Sequence, residues 1–157
     1  MDDQLLELCG RNRLTESLLG AGLEVAFPAR DRGIDLIAYA DIDRRLEKFA
    51  AVPIQMKAAS GASFSIDQKY SKFHDMLIAY VWNVSQPADT QIYVLTQKEA
   101  VDIATEMKYT TSESWTGKGV YVVTHPGREL TEKLRPYLVS REKWQQKILG
   151  KARDITL

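Results

Sequence analysis

The chain has 157 residues, of which 45% are hydrophobic and 27% charged, and its 21 basic residues balance its 21 acidic ones. This length suits one domain with its own core, and the balance argues against a protein that coats nucleic acid through bulk charge. The single cysteine excludes an internal disulfide, and we find neither an apolar run of membrane-spanning length nor a signal-peptide pattern. We therefore expect a cytoplasmic protein with no membrane partner.

The balanced charge is unevenly distributed along the chain. Residues 1–56 carry 7 basic and 10 acidic side chains, and residues 57–106 carry 4 and 6. Residues 107–157 carry 10 basic and 5 acidic side chains. This pattern predicts either ordinary solvated faces or a basic flank beside an acidic site.

The first part of the chain predicts one helix followed by three strands. The helix covers residues 3–20 and ends at the glycines that follow. Strands are predicted over 23–27, 34–40 and 48–58, with a charged turn over 41–47. The expected buried face of the helix comprises Leu5, Leu8, Cys9 and Leu19.

The second part predicts alternating helices and strands. Residues 68–84 have apolar side chains at helical spacing, which predicts a helix with His74 on its core face. Strands are predicted at 92–95 and 119–124, and Thr96 and Glu99 form the capping box of a helix between them. Two further helices, 129–138 and 141–150, follow. Trp144 is expected to pack on the body, the alternatives being contact with a nucleic-acid backbone or with a second copy of the chain. The sequence therefore predicts a single mixed α/β domain over 1–157, whose sheet starts antiparallel and is flanked by helices.

Three polar side chains converge if the second and third predicted strands form a hairpin. A turn centred at residue 45 pairs Asp35 with Gln55, whereas one centred at 46 pairs Asp35 with Lys57. Gln55 and Lys57 lie two apart and so share a sheet face. Carboxylate and amide oxygens suit Mg²⁺, and a nearby lysine can serve a water or a developing phosphate charge. The plain alternative is a cross-strand ion pair on a solvated face.

Gly33-Ile34-Asp35, followed twenty residues later by Gln55-Met56-Lys57, resembles the PD-(D/E)XK nuclease superfamily. The glutamine form is similar to Mrr-type restriction endonucleases and to relatives of Holliday-junction resolvases. The resemblance covers residues 5–125 and implies a restriction-endonuclease-like core with helices 129–150 added. It also implies a Mg²⁺- or Mn²⁺-dependent DNA endonuclease that can form a homodimer. Asp35 and Gln55 would then hold the metal, and Lys57 would assist the attacking water.

The resemblance is incomplete at the first helix, where such nucleases usually supply a glutamate. The corresponding position falls on Asn12 or Arg11, depending on the count. We expect Glu16, one turn further on the predicted apolar face, to complete the catalytic metal site, with Glu7 as the second choice. Without a helix carboxylate, the chain would be a catalytically degraded nuclease fold that binds nucleic acid or protein.

Several polar residues near the predicted site are candidates for contact with DNA. Ser60 and Ser63 follow the third strand in a loop of small residues. Gln68 and Lys69 open the predicted helix 68–84, whose N-terminal amides would suit a phosphate. Asp31 is a further loop residue that could contact the metal or DNA.

Overall fold

The computed structural model describes residues 1–41 and 49–153, with side chains over 1–40 and 49–150. Residues 42–47 of the predicted charged turn lie outside this part. The chain forms a mixed α/β fold, with a five-stranded sheet, a two-stranded sheet and flanking helices. The helices are α1 (Asp3–Gly20), α2 (Gln97–Glu106), α3 (Arg128–Leu134) and α4 (Arg141–Arg153). The strands are β1 (Glu24–Ala26), β2 (Leu36–Asp41), β3 (Phe49–Ala58), β4 (Phe64–Asp67), β5 (Leu77–Trp82), β6 (Gln91–Thr96) and β7 (Val120–Val123).

The large sheet has the strand order β1-β2-β3-β5-β6. Its neighbours are antiparallel except β3 and β5, which run parallel. Leu36 of β2 lies opposite Ile54 of β3, which is the register predicted by a turn centred at residue 45. The smaller sheet pairs β4 with β7 in antiparallel order. The predicted antiparallel start of the sheet is confirmed.

The helix predicted over 68–84 is wrong. Residues Gln68–Lys72 form a 3-10 turn, and β5 follows with all six residues buried. A strand buried on both faces is a continuous apolar run, so it lacks the alternation that would have identified it. His74 is exposed in the loop between them, not in the core. The other predicted strands and helices are confirmed, with ends shifted by a few residues.

The predicted buried face of α1 is also wrong, although the helix itself is confirmed. The residues that α1 buries are Gly10, Leu14 and Leu18, four apart in sequence. Of the predicted face, Cys9 packs against the core and the three leucines are exposed. Their exposed fractions are 46% for Leu5, 52% for Leu8 and 50% for Leu19. None of the helices in the described ranges is both long and apolar enough to cross a membrane.

Gly10 allows α1 to approach β3 closely. A Cβ at this position would lie 2.7 Å from the Cβ of Ala58 and 3.4 Å from the sulfur of Met56. Any other side chain would therefore push the helix away from the strand. Gly10 thus fixes the distance between the N-terminal half of α1 and the end of β3.

Helix α4 is anchored on the body by one aromatic residue and one ion pair. Trp144 is 1% exposed, and its indole nitrogen donates to Ser17 Oγ of α1 at 2.8 Å. The predicted packing of Trp144 is therefore confirmed. Lys147 donates to Glu99, the capping residue of α2, at 2.6 and 2.7 Å. Burial tends to raise the pKa of Glu99, but Lys147 and the backbone of Thr96 outweigh it and hold this pKa below its usual value.

We expect Gly10→Ala to lower the free energy of unfolding, by up to about 2 kcal/mol. Helix propensity alone would favour alanine by about 1 kcal/mol, but overpacking against Ala58 costs about 1–3 kcal/mol. Gly20→Ala is the matched control, because a Cβ there would meet no atom within 4 Å among the described residues outside its own stretch of helix. Urea unfolding of both variants measures the difference. Equal stabilisation by the two substitutions would contradict the close approach.

Candidate metal and catalytic site

The site forms where β3 extends beyond the end of β2. Since β2 begins at Leu36, opposite Ile54, residues 55–58 of β3 pair with β5 on their other edge. At Met56, side chains form the backbone hydrogen bonds that a neighbouring strand would otherwise form. Its N–H donates to Oδ2 of Asp35 at 2.6 Å, and its carbonyl accepts from Nε2 of Gln55 at 3.1 Å. Asp35 and Gln55 therefore meet at one strand edge.

A tight loop brings Asp35 to this edge. Gly33 has a φ of +86°, a backbone conformation that glycine adopts at little cost. Its N–H donates to Oδ1 of Asp31 at 3.1 Å, closing a turn of the kind that aspartate favours. Asp35 N then donates to the carbonyl of Ile54 at 2.9 Å. The loop thus ends with the Asp35 backbone joined to β3.

Asp35 and Gln55 line a cavity of about 330 Å³ between this edge and α1, which we call the acidic cavity. Carboxylates reach it from the helix and from the loop before β2. Such a concentration of acids with few counter-charges is typical of a place that receives a cation. The lining residues are Asp3, Leu6, Glu7, Asp31, Asp35, Gln55, Met56 and Ala58.

The half-buried Asp35 carboxyl is electrostatically strained. Burial raises its pKa, and the charges of Asp31 and Glu7 raise it further. The hydrogen bond from Met56 N and the charge of Arg11 act in the opposite direction without cancelling the rise. Glu7 itself accepts from Arg11 at 2.8 Å. A cation in the acidic cavity would relieve the remaining repulsion.

Gln55 has a buried oxygen with an unmet hydrogen-bonding capacity. The residue is 8% exposed, and its Nε2 is committed to the Met56 carbonyl. Within the described part of the chain, Oε1 has no hydrogen-bond partner. It lies beside Gly33, where a Cβ would be 3.9 Å away. An unsatisfied buried acceptor costs about 1–3 kcal/mol, so a ligand for this oxygen would be stabilising.

Lys57 lies near the acidic cavity but is not one of its lining residues in the described structure. Its Nζ donates to the hydroxyl of Tyr70 at 2.9 Å. Tyr70 is buried in the 3-10 turn Gln68–Lys72, and Nζ of Lys69 lies 4.9 Å from the centre of its ring. Sequence reasoning missed Tyr70, because its spacing placed it on the apolar face of a helix that does not form.

The structure places Glu7, not Glu16, beside Asp35. The side chain of Glu16 is 77% exposed and lies 3.5 Å from Arg13. The two glutamates are nine residues apart, which puts them on opposite faces of α1. The expectation that Glu16 reaches Asp35 depended on the wrong buried face and is itself wrong. The spacing of Glu7 and Leu14 would have identified Glu7, because residues seven apart share a helix face and Leu14 is buried.

The candidate DNA contacts are dispersed. Ser60 is exposed, and Ser63 is half-buried, with its carbonyl accepting from the indole of Trp82 at 2.6 Å. Gln68 and Lys69 are exposed, but they open a 3-10 turn and no α-helix begins there. The Lys69 amide donates to the carboxylate of the preceding Asp67, which removes the expected anion site.

The donor set is suited to a hard divalent cation. The candidates Asp35, Gln55 Oε1 and Glu7 offer oxygen atoms, which Mg²⁺ and Mn²⁺ prefer. Among the described residues, no three His, Cys, Asp or Glu side chains stand close enough to form a ready metal cage. The unpartnered Gln55 oxygen and the strained Asp35 carboxyl fit such a cation chemically.

We compared the chain with protein-family models, with curated proteins and with solved structures, and none of the three comparisons returned a match.

We expect Asp35→Asn to melt at a higher temperature than the wild type at pH 7. The pKa of Asp35 is raised in the folded state, so protonation of Asp35 favours folding. The stability that this contributes is present below the ordinary pKa of 3.8 and is lost as the pH rises through the folded pKa. The asparagine oxygen can still accept from Met56 N. Melting curves should therefore converge as the pH falls toward 3.8. A variant less stable than wild type at pH 7 would contradict this electrostatic account.

Divalent metal should raise the melting temperature of the wild type and leave that of Asp35→Asn unchanged. At about 100 times its Kd, a ligand of the folded state adds about 2.7 kcal/mol of stability. Glu16→Gln serves as the matched control, since this exposed residue lies away from the acidic cavity. Melting in a Mn²⁺ series measures the shift. Equal shifts in wild type and Asp35→Asn would place the metal elsewhere.

Proposed function

We propose that the chain is a Mg²⁺- or Mn²⁺-dependent DNA endonuclease of the PD-(D/E)XK type. One observation carries this proposal: Asp35 lies at one strand edge with Gln55 Oε1, which has no partner in the described part of the chain, beside Glu7 from the first helix. A carboxylate just before β2, an amide on β3 and a helix carboxylate around one cavity are consistent with the arrangement that the sequence resemblance implies. The single cysteine and the DNA substrate together favour a cytoplasmic setting.

Each residue would have a separate role in phosphodiester hydrolysis. Asp35 and Gln55 would hold the divalent metal, and Glu7 would complete its oxygen ligands. The bound metal would supply Lewis-acid activation of a water and of the scissile phosphate. The water oxygen bonds to phosphorus while the bond to the leaving ester oxygen breaks. The water loses one proton to solvent, and the leaving oxygen gains one.

Lys57 is better suited to the phosphate than to the water. Its Nζ donates to Tyr70, so the side chain is held at a fixed point on the same strand as Gln55. A fixed cation neutralises charge that develops on the phosphate oxygens in the transition state. Lys69, also beside the Tyr70 ring, forms an ion pair with Asp67 at 3.3 Å and is a further candidate for contact with the DNA backbone. A homodimer with twofold symmetry would allow cleavage of both strands.

A second candidate is a nuclease fold that binds nucleic acid or protein without cutting. The position of Lys57 outside the lining of the acidic cavity favours it. So does the exposed apolar row on α1, which includes Leu5 and Leu8 and could bind a protein partner. This candidate predicts salt-sensitive DNA binding, or protein binding, with no metal-dependent cleavage.

Plasmid cleavage in Mg²⁺ or Mn²⁺ tests the proposal. We expect Asp35→Asn and Lys57→Met each to lower the cleavage rate by about 10²-fold or more, because each removes a charge that acts in the transition state. Glu7→Gln should lower it by about 10-fold, and the exposed control Glu16→Gln by less than about 2-fold.

Circular dichroism of each variant separates loss of activity from loss of folding. Equal nicking by wild type, Asp35→Asn and Lys57→Met would indicate a contaminant and overturn the proposal. DNA binding without cleavage in the folded wild type would favour the second candidate.

A further inference from the structure

A second cavity, of about 510 Å³, shares no lining residue with the acidic cavity. Its volume lies in the range of sites for small organic ligands. It lies between the turn Gln68–Lys72, the loop that follows it, the start of α2 and a π-helical turn, Ser114–Lys118. Nothing in the proposed hydrolysis uses it.

The walls of the second cavity are suited to a flat ring. Phe73, Val101 and Trp115 line it, and all three are half-buried on the edge of the core. Each packs against the buried cluster beneath and keeps part of its surface open. Two aromatic side chains and one branched aliphatic one offer stacking contacts to a planar heterocycle.

Gln97 adds a polar group of fixed orientation. This lining residue is 8% exposed, and its Nε2 donates to the carbonyl of Asp67 at 2.8 Å. This hydrogen bond fixes the orientation of the side-chain amide, so Oε1 remains available as an acceptor. Within the described residues, that oxygen is buried and has no partner. A ligand that brings an N–H group to it would supply the missing hydrogen bond.

The rim of the second cavity carries two lysines, one of which is paired with an aspartate. Lys98 lines it together with His74, and Nζ of Lys72 lies 5.2 Å from the centre of the Phe73 ring. Asp102 also lines it and is bonded to Lys98 at 2.6 Å. The N-terminus of α2 is closed by its own capping box, so an anion would contact the side chains at the rim. A phosphate group is the anion that such a rim favours beside a stacked base.

We propose that the second cavity binds a nucleotide. The base stacks against Phe73 and Trp115 and donates an N–H to Oε1 of Gln97, and the phosphate lies toward Lys72 and Lys98. The same chemistry is presented by a free mononucleotide and by an unpaired base in a single strand. Binding here requires no hydrolysis at Asp35, so the site is independent of the proposed nuclease function.

Calorimetric titration with the four deoxynucleoside monophosphates, deoxyadenosine, inorganic phosphate and single-stranded octanucleotides tests the proposal. At least one monophosphate or octanucleotide should bind. Gln97→Met and Trp115→Ala should each weaken that binding 10-fold or more. Lys98→Met should weaken binding of the monophosphate and leave binding of deoxyadenosine unchanged. Tighter binding of an octanucleotide identifies a base within a strand, and tighter binding of a monophosphate identifies a free nucleotide.

Gln145→Met is the matched control, because Gln145 also donates its amide to a backbone carbonyl, that of Ala21, at 3.0 Å. It lies on α4, away from the second cavity, and should leave binding unchanged. Asp35→Asn should also bind normally, which separates this proposal from the nuclease. Absence of binding at millimolar nucleotide, equal binding of phosphate alone, or unchanged binding in both Gln97→Met and Trp115→Ala would overturn it.

Discussion

The hydrogen bond from the Met56 amide to the Asp35 carboxylate determines how the rest of the site is arranged. It ends the β2–β3 ladder with a side chain in place of a strand, at an N···O distance of 2.6 Å. This bond holds an acid at the open edge of β3. The adjacent carbonyl of Met56 then accepts from the Gln55 amide, which leaves the Gln55 oxygen without a partner among the residues that the structure describes. One backbone position thus fixes both candidate metal ligands.

The acidic cavity is stable only because the surrounding structure holds its charges together. Gly10 lets α1 lie against the end of β3, which places Glu7 near Asp35. Burial and the neighbouring acids raise the pKa of Asp35, so its charge opposes folding at neutral pH. Strain of this kind at a cluster of polar groups is typical of sites that gain stability when a ligand binds. This strain supports the proposed role of the acidic cavity in cation binding.

The sequence predicted the hairpin more accurately than the helix faces. The polar turn limited the hairpin to two registers, centred at residue 45 or 46, and the structure has the first. In both registers Asp35 falls on the sheet face of Gln55 and Lys57, because side chains two apart share a face. Local periodicity failed at β5, where burial on both faces removed the alternation, and at α1, where exposed leucines outnumber buried ones. Because the buried face of α1 was predicted wrongly, Glu16 was assigned to the metal site. The contact of Lys57 with Tyr70 depends on tertiary packing between β3 and a distant turn, for which one sequence has no local signal.

We propose that Asp35 and Gln55 together hold a divalent metal ion. Anomalous diffraction from crystals grown with Mn²⁺ tests it most directly, since the ion is then located without reference to activity. The account predicts one strong peak about 2.0–2.3 Å from an Asp35 carboxylate oxygen and from Oε1 of Gln55, within reach of Glu7. A map without a peak in the acidic cavity at saturating Mn²⁺, or with its peak at other residues, would contradict the account.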